Sequence, residues 1–322
     1  MIALNNISAR TFSRLGQRGA IFGIAACEAA KEDSKFILLT ADLAQLSGMD
    51  RFVGMFPEQF VNAGIAEQNM LGMTAGLSVE GYHPVASTYA TFLSMRGCEQ
   101  MRHYFGYMHL KAVLIGSGAG FSQGYSGNTH YTIEDLSIVR AIPNLIVLSP
   151  ADAGAAVLLF CEALKSDSAV YMRLTGGLNS PVIYKEDRQF RIGGSVKLRE
   201  GSDVAILVTG TVVDSALKAA EILGNDGISA SVTDIYSIKP IDKQRILEIA
   251  SSSKALFTVE EHSTIGGLGG AVSEVLAKNG NMPKLVRLGI RDNFDLAGSY
   301  ESLIRQNRLT PELIAQDIRK NI

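Results

Sequence analysis

Short apolar runs alternate with longer amphipathic stretches through the first half of this chain. The apolar runs are bounded by turn-forming residues, as expected of strands that are buried on both faces of a sheet. These runs are residues 36–40, 112–117, 145–149 and 170–174. Candidate helices occupy residues 8–31, 63–80, 91–106, 132–140 and 151–165. The alternation predicts an α/β layer with a mostly parallel sheet.

The second half repeats the alternation and predicts a second α/β domain. Its predicted strands are residues 204–209, 230–235, 256–260 and 285–290. Its predicted helices are residues 214–224, 241–251, 268–278 and 310–320. Between residues 176 and 191 the periodicity is lost, and glycine, asparagine, proline and charged residues accumulate. We therefore expect two domains, residues 1–180 and residues 191–322.

The composition agrees with an ordinary enzyme subunit, because 322 residues with 47% hydrophobic and 19% charged side chains can bury two cores. The formal net charge of −2 argues against a nucleic-acid or acidic-membrane surface. No apolar run reaches the length of a membrane span, and the first residues lack the order of a signal peptide. The three cysteines lack metal-ligand spacing, so we expect them to be reduced in a cytoplasmic protein.

The most informative segment is residues 60–74, FVNAGIAEQNMLGMT, which places Glu67 in a helical run without an evident charge partner. Apolar residues fall on the face that carries Glu67 and on the opposite face, so we expect this helix to be buried on all sides. Burial is costly for a carboxylate and favours its protonated form. Glu67 is therefore a candidate proton donor; the alternative is an acid that faces water.

Further motifs follow Glu67 in order along the chain. The aromatic pair Tyr89 and Phe92 lies in VASTYATFLSMRGCEQMR and precedes GSGAGFSQGYSGNTHYTIEDL, RAIPNLIVLSPAD and AVYMRL. Taken alone, two aromatics three residues apart are most often core residues. The ordered series resembles the second half of transketolases over nearly the whole chain, from about Ser8 onward. The resemblance implies a thiamine pyrimidine-binding-type parallel-sheet layer followed by a transketolase C-terminal-type α/β domain.

The resemblance also implies thiamine diphosphate as cofactor, and transfer of a two-carbon ketol unit from a ketose to an aldose acceptor. In that family the acid at the position of Glu67 is catalytic and binds the aminopyrimidine of the cofactor. Tyr89 and Phe92 match aromatics that hold this ring. Leu43 is expected to pack under the cofactor, and Asp42 to join a carboxylate network beside it.

Two more residues match family positions that bind substrate. His130 corresponds to a catalytic histidine that hydrogen-bonds substrate oxygens, and Arg173 corresponds to an arginine that grips a sugar phosphate. The alternatives are a structural histidine in a loop and an arginine in an ordinary surface salt bridge.

The sequence departs from the family at three positions, where Gly118, Ser126 and Tyr131 replace a histidine, an aspartate and a glutamine. Ser126 is then expected in the substrate-binding pocket in place of a charged acceptor, with more free volume beside Gly118. These changes suit an unusual or deoxygenated sugar, or a different acyl donor.

The family takes the ligands of Mg²⁺ and of the diphosphate from a separate domain, whose signature is GDG followed by paired asparagines. This sequence has no such signature, and its nearest string, at residues 225–227, suits a turn. The resemblance therefore implies a partner chain that carries the Mg²⁺ ligands, in an α2β2 heterotetramer.

One cluster in the second half has no match to the proposed chemistry. Glu260, Glu261 and His262 precede a GGLGG string, which lacks the spacing of a dinucleotide-binding motif. We favour a strand end and a glycine turn against a neighbouring subunit over a phosphate or metal site.

Two other functions stay open at this point. The β-type subunit of a thiamine-dependent 2-oxo acid decarboxylating or acyl-transferring enzyme has the same two-domain plan, although the THYTIEDL string fits transketolase better. A non-catalytic scaffold subunit is disfavoured by the joint presence of Glu67, Tyr89, Phe92 and His130.

Overall fold

Two β-sheets organise the chain, which a computed structural model describes over residues 2–280 and 282–322. The strands, numbered in chain order, are β1 (Phe36–Thr40), β2 (Phe60–Asn62), β3 (His83–Tyr89), β4 (Val113–Ser117), β5 (Ile146–Leu148), β6 (Val170–Arg173), β7 (Val196–Arg199), β8 (Val204–Thr209), β9 (Ala230–Asp234), β10 (Ser237–Lys239), β11 (Ala255–Ser263) and β12 (Lys284–Ile290). The first sheet has the order β10-β5-β6-β4-β3-β1-β2, and the second has the order β12-β11-β8-β9-β7.

Helices cover the faces of both sheets. The α-helices are Asn6–Ala20, Ala26–Glu32, Asp50–Met55, Glu67–Val79, Cys98–Gln100, Asp135–Ala141, Ala153–Leu164, Val213–Asn225, Lys243–Ser252, Leu268–Leu276, Tyr300–Gln306 and Pro311–Arg319. Shorter π and 3₁₀ segments are Ile21–Ala25, Pro57–Gln59, Phe92–Arg96, Met101–Tyr107, Phe121–Thr129 and Gly210–Val212. In the described part of the chain, no helix is both long and apolar enough to cross a membrane.

The first sheet is parallel except for β10, which pairs with β5 in the antiparallel sense. β1 and β4 are buried at every position, as expected for strands with helices on both faces. Because the strands run in one direction, the carboxyl ends of β1 to β4 meet at one edge, where ligands bind in open α/β sheets. That edge carries Asp42, Asn62, Tyr89 and Gly118.

The predicted α/β class with two domains is confirmed, and the apolar runs at residues 36–40 and 204–209 form β1 and β8. The inner strand β3 was not predicted, because Pro84 and the buried Ser87 and Thr88 interrupt its apolar character. The division into residues 1–180 and 191–322 stays a prediction, since β10 comes from the second half of the sequence and extends the first sheet.

Residues 174–195 form turns and extended chain between β6 and β7, and two buried aspartates fasten the middle of this linker, at Ile183 and Tyr184. Asp152 Oδ1 accepts from the N–H of Ala155 at 2.7 Å and so caps the helix Ala153–Leu164. Its Oδ2 accepts from the N–H groups of Ile183 and Tyr184 at 2.8 and 2.9 Å. The Tyr184 hydroxyl donates to Oδ2 of Asp234, at the end of β9, at 2.7 Å. The linker is therefore tied to both sheets.

The buried Asp234 predicts a pH dependence of stability. Burial raises its pKa from the ordinary 3.8 to about 8. Between these values the folded chain holds a proton that the unfolded chain releases, so the free energy of unfolding should fall as the pH rises from about 4 to about 8. Asp234→Asn, which stays neutral, should flatten this part of the profile in urea unfolding at several pH values. Asp292→Asn, at an exposed position, should keep the wild-type slope; an equal slope in Asp234→Asn contradicts the assignment.

Candidate active site

Glu67 opens the helix Glu67–Val79 at the ligand-binding edge of the first sheet. Its side chain is 5% exposed, and its place in the first helical turn suits a negative charge. The prediction that this helix is buried on all sides is wrong, because Met73 is 36% exposed and Ile65, in the preceding loop, is 77% exposed. The helix therefore covers the core with one face and leaves the other open.

Arg96 is the charge partner that the sequence did not reveal. Its Nη1 donates to Oε1 of Glu67 at 3.0 Å, and its Cζ lies 4.2 Å from the centroid of the Phe92 ring. The prediction of an unpartnered Glu67 is therefore wrong. Phe92 and Arg96 are the first and last residues of a π-helical turn, a rare geometry that is frequent at functional sites. The four-residue separation of Phe92 and Arg96 was the sequence signal for the contact between the ring and the guanidinium.

Three aromatic side chains pack beside this ion pair. The ring centroids of Tyr89 and Phe92 are 5.9 Å apart, and the His130 imidazole meets Phe92 edge-on at 5.4 Å and Tyr89 at 6.2 Å. The hydroxyl of Thr129 lies 2.9 Å from His130 Nδ1 and orients the ring. The structure thus brings together Glu67, Tyr89, Phe92 and His130 from three separate segments.

Asp42 and Leu43 follow β1 on the same edge of the sheet. Asp42 is exposed and has a φ of +59°, and its N–H donates to Oδ1 of Asn62 at 3.0 Å. The same Asn62 oxygen accepts from the N–H of Gly64 at 3.0 Å, so Asn62 orders the loop that leads to Glu67. Leu43 is half-buried. Sequence reasoning missed Asn62, although it lies in the segment of residues 60–74, because it is uncharged and its hydrogen bonds to the loop cannot be seen in the sequence.

The free volume expected beside Gly118 is filled by Gln123. A Cβ at residue 118 would lie 3.0 Å from Cγ of Gln123 and 3.2 Å from Cδ1 of Tyr89, and the φ of +65° favours glycine. Ser126 lies on the exposed outer part of the loop that carries His130. Tyr131 is buried and donates to the carbonyl of Asp295 at 2.8 Å. Of the three departures, the one at Gly118 therefore leaves space that the Gln123 side chain fills, beside Tyr89 of the aromatic cluster.

Arg173 does not face this edge. Its side chain is 1% exposed, and its Nε lies 3.0 Å from both carboxylate oxygens of Asp135. Its Nη2 donates to the carbonyl of Glu261 at 2.9 Å, and Tyr171 donates to Asp135 at 2.9 Å. Both the predicted phosphate contact and its surface-salt-bridge alternative are incompatible with this position, because β6 is an inner strand and the side chain turns into the protein interior.

The side chains of Glu260, Glu261 and His262 are buried within their own chain, and contact of the following glycine turn with a neighbouring subunit stays a prediction. Glu260 accepts from the N–H groups of Leu268 and Gly269 at 2.6 and 2.8 Å, and so caps the helix Leu268–Leu276. Burial raises the pKa of Glu260 to about 7 and lowers the pKa of His262 to about 4. Among the described residues, no group of three or more His, Cys, Asp or Glu side chains is placed to hold a metal ion.

The second domain also supports the loop that carries His130. Oε1 of Glu261 accepts from the N–H of Phe121 at 2.6 Å, at the start of this loop. The N–H of Gly298 donates to the carbonyl of Gly124 at 3.1 Å, at its middle. The position of His130 therefore depends on contacts made by both domains.

The buried pair Asp135–Arg173 gives a test of its structural role. Asp135→Asn removes the carboxylate that pairs directly with the buried guanidinium, and we expect it to lower the free energy of unfolding by about 3–5 kcal/mol in urea denaturation. The control Asp214→Asn breaks the largely exposed pair with Lys218 and should cost less than about 1 kcal/mol. Equal, small losses in the two variants would contradict the buried role of Arg173.

Comparison with known proteins places these residues in a family context. Residues 18–179 match the family model "Transketolase, pyrimidine binding domain", and residues 193–314 match "Transketolase, C-terminal domain". A protein of Methanocaldococcus jannaschii named "Putative transketolase C-terminal section" is 38% identical over 94% of this chain and 95% of its own length. The 6-deoxy-6-sulfo-D-fructose transketolase subunit SqwH of a Clostridium species is 37% identical over 90% of this chain and 89% of its own length.

Longer relatives and solved structures match as well. The 1-deoxy-D-xylulose-5-phosphate synthase of Histophilus somni is 34% identical over 93% of this chain, which spans 48% of that enzyme. A solved structure described as a split gene transketolase, inactive beta4 tetramer, aligns with a TM-score of 0.86 at 37% identity, over 95% of this chain and 97% of its own. Campylobacter jejuni transketolase shares the fold, with a TM-score of 0.80 at 21% identity, over 95% of this chain and 46% of its own.

Proposed function

This chain belongs to the transketolase family, and from that membership we propose that it is the pyrimidine-binding half of a split, thiamine-diphosphate-dependent transketolase. The relative from M. jannaschii matches this chain almost end to end, whereas this chain spans about half the length of the matched 1-deoxy-D-xylulose-5-phosphate synthase. A two-carbon ketol unit would pass from a ketose to an aldose acceptor at a site completed by a second polypeptide.

The observation that carries the proposal is that the Glu67 carboxylate and the Phe92 ring both contact one planar group, the guanidinium of Arg96. The guanidinium of Arg96 meets the acid at 3.0 Å and the ring at 4.2 Å. An aminopyrimidine is also planar and carries nitrogen atoms at its edge, so the same acid and ring suit it. The residues present therefore fit the pyrimidine half of the cofactor.

When bound, thiamine diphosphate supplies a carbon nucleophile that attacks a ketose carbonyl and accepts the electrons of the broken C–C bond. Glu67 holds a proton at the pyrimidine nitrogen, in a place largely screened from water. Phe92 and Tyr89, whose rings pack against each other, would hold the pyrimidine ring by stacking. Asp42 and Leu43 border the cofactor at the end of β1.

Substrate recognition falls to the loop that follows β4. His130, packed edge-on against Phe92, donates a hydrogen bond to a substrate oxygen. Gln123 contributes its side-chain amide at Gly118, where the family has a histidine. Ser126 lies farther out on the same loop and borders the entrance. A relative is named for 6-deoxy-6-sulfo-D-fructose, so the proposed donors include ketoses with an anionic group other than phosphate on the terminal carbon.

The partner supplies the Mg²⁺ and diphosphate ligands in the proposed α2β2 assembly. Calorimetry should then detect no tight binding of thiamine diphosphate and Mg²⁺ to this chain alone, because half of each site is missing. Adding the partner should create tight binding and ketol transfer together. Tight cofactor binding by the isolated chain would sink the split-site proposal.

The role of Glu67 is tested by Glu67→Gln in the chain assembled with its partner. Glutamine keeps the shape but cannot exchange a proton with the pyrimidine nitrogen. NMR-monitored exchange of the C2 proton of bound cofactor should slow by roughly 10²–10⁴, the range typical of acid–base catalysts. The control Glu80→Gln removes an exposed acid just beyond the same helix and should exchange at the wild-type rate. Near-normal exchange in Glu67→Gln would show that the acid is misassigned.

A further inference from the structure

We propose that Arg96 and the aminopyrimidine compete for one place, the acid–ring wedge between the Glu67 carboxylate and the Phe92 ring. Arg96 is then a positioning residue that holds the acid and the ring apart at a fixed geometry and yields to a planar base. The proposal rests on the proposed function, since it takes Glu67 and Phe92 as the partners of the pyrimidine.

Arg96 already makes both contacts that the pyrimidine needs. Its Nη1 donates to Glu67 Oε1 at 3.0 Å, while its Cζ lies 4.2 Å above the Phe92 ring. A guanidinium is planar and delocalised, so it stacks on an aromatic face and hydrogen-bonds a carboxylate through its edge. An aminopyrimidine offers the same two surfaces.

Two planar groups cannot fill the acid–ring wedge together. The Glu67 side chain is 5% exposed, and its ion-pair partner Arg96 is 52% exposed. The guanidinium therefore occupies the hydrogen-bonding position at Oε1 of the carboxylate. A ring that bonds to Glu67 and stacks on the face of Phe92 that Arg96 covers must take the place of that group.

The Arg96 side chain can leave without unfolding the turn that carries it. The backbone carbonyl of Arg96 accepts from Nε2 of Gln68 at 3.2 Å, a contact that does not involve the guanidinium. The guanidinium that makes both contacts is 52% exposed, so water solvates it and salt screens its end of the ion pair, although the Glu67 carboxylate is buried. Rotation about side-chain bonds therefore suffices to open the wedge.

The competition gives the site a selectivity of its own. A ligand displaces Arg96 only when it replaces both contacts, the one to the acid and the one to the ring. A diphosphate without a base has no such surface and leaves Arg96 in place. Recognition of the base is thus separated from recognition of the phosphates.

The test is an NMR titration of the full chain with the pyrimidine half of the cofactor, 4-amino-5-hydroxymethyl-2-methylpyrimidine. Arg96→Met keeps the apolar stem and removes the competing cation, so the Kd should fall about 3- to 30-fold, the range of a weak ion pair with one exposed partner plus a cation–π contact made by an exposed cation. Arg102→Met, which removes an exposed arginine from the same region, should keep the wild-type Kd. Added salt should tighten binding to the wild type more than to Arg96→Met.

The outcomes separate this proposal from the proposed function. A Kd that is unchanged or weakened by Arg96→Met, while Phe92→Ala still abolishes binding, overturns the competition and leaves the pyrimidine site in place. Failure of the wild type and of every variant to bind the fragment overturns the pyrimidine site and the competition together. Inorganic pyrophosphate, used as a second probe, should bind neither the wild type nor Arg96→Met, because the diphosphate ligands are on the partner chain; binding of pyrophosphate gained in Arg96→Met overturns the selectivity for the base.

Discussion

The ion pair between Asp135 and Arg173 is the constraint on which the arrangement of both domains depends. Both side chains are almost fully buried, and a buried charge is tolerated only when a partner and hydrogen bonds compensate it. Asp135 opens the helix Asp135–Ala141, Arg173 ends β6, and the guanidinium also binds the carbonyl of Glu261 in β11. One cation thus fixes a helix and strands from two sheets, and the loop carrying His130 is held between them.

Around this pair, the two domains divide the work at the site unequally. The first domain provides Glu67, Tyr89 and Phe92, which lie at the carboxyl edge of its sheet or directly after it. The second domain provides support: Glu261 and Gly298 fasten the loop that ends at His130. Catalytic geometry is sensitive to displacements of about 1 Å, so contacts remote from the reacting atoms bear on activity as well as stability.

The sequence predicted those features that depend on local pattern. Buried runs such as residues 36–40 and 204–209 identify strands directly, and the motif around Glu67 indicates an acid beside aromatic residues. The errors arise where distant residues decide the outcome. Arg173 ends a strand as predicted, but the direction of its side chain is set by Asp135, which is 38 residues away in the sequence. Gln123 likewise fills the space at Gly118 because the loop folds back, which no periodicity reveals.

The short strand β10 makes the first sheet dependent on residues far beyond the linker. Residues Ser237–Lys239 pair with β5 and form the outermost strand on that side. An edge strand without its neighbour exposes a row of unpaired backbone groups that invites pairing with other chains. During synthesis, β5 therefore has an uncovered edge until the ribosome has released residue 239, well after the rest of the sheet is available. The first domain consequently cannot complete its sheet, with the edge of β5 covered, before part of the second half of the chain has been synthesised.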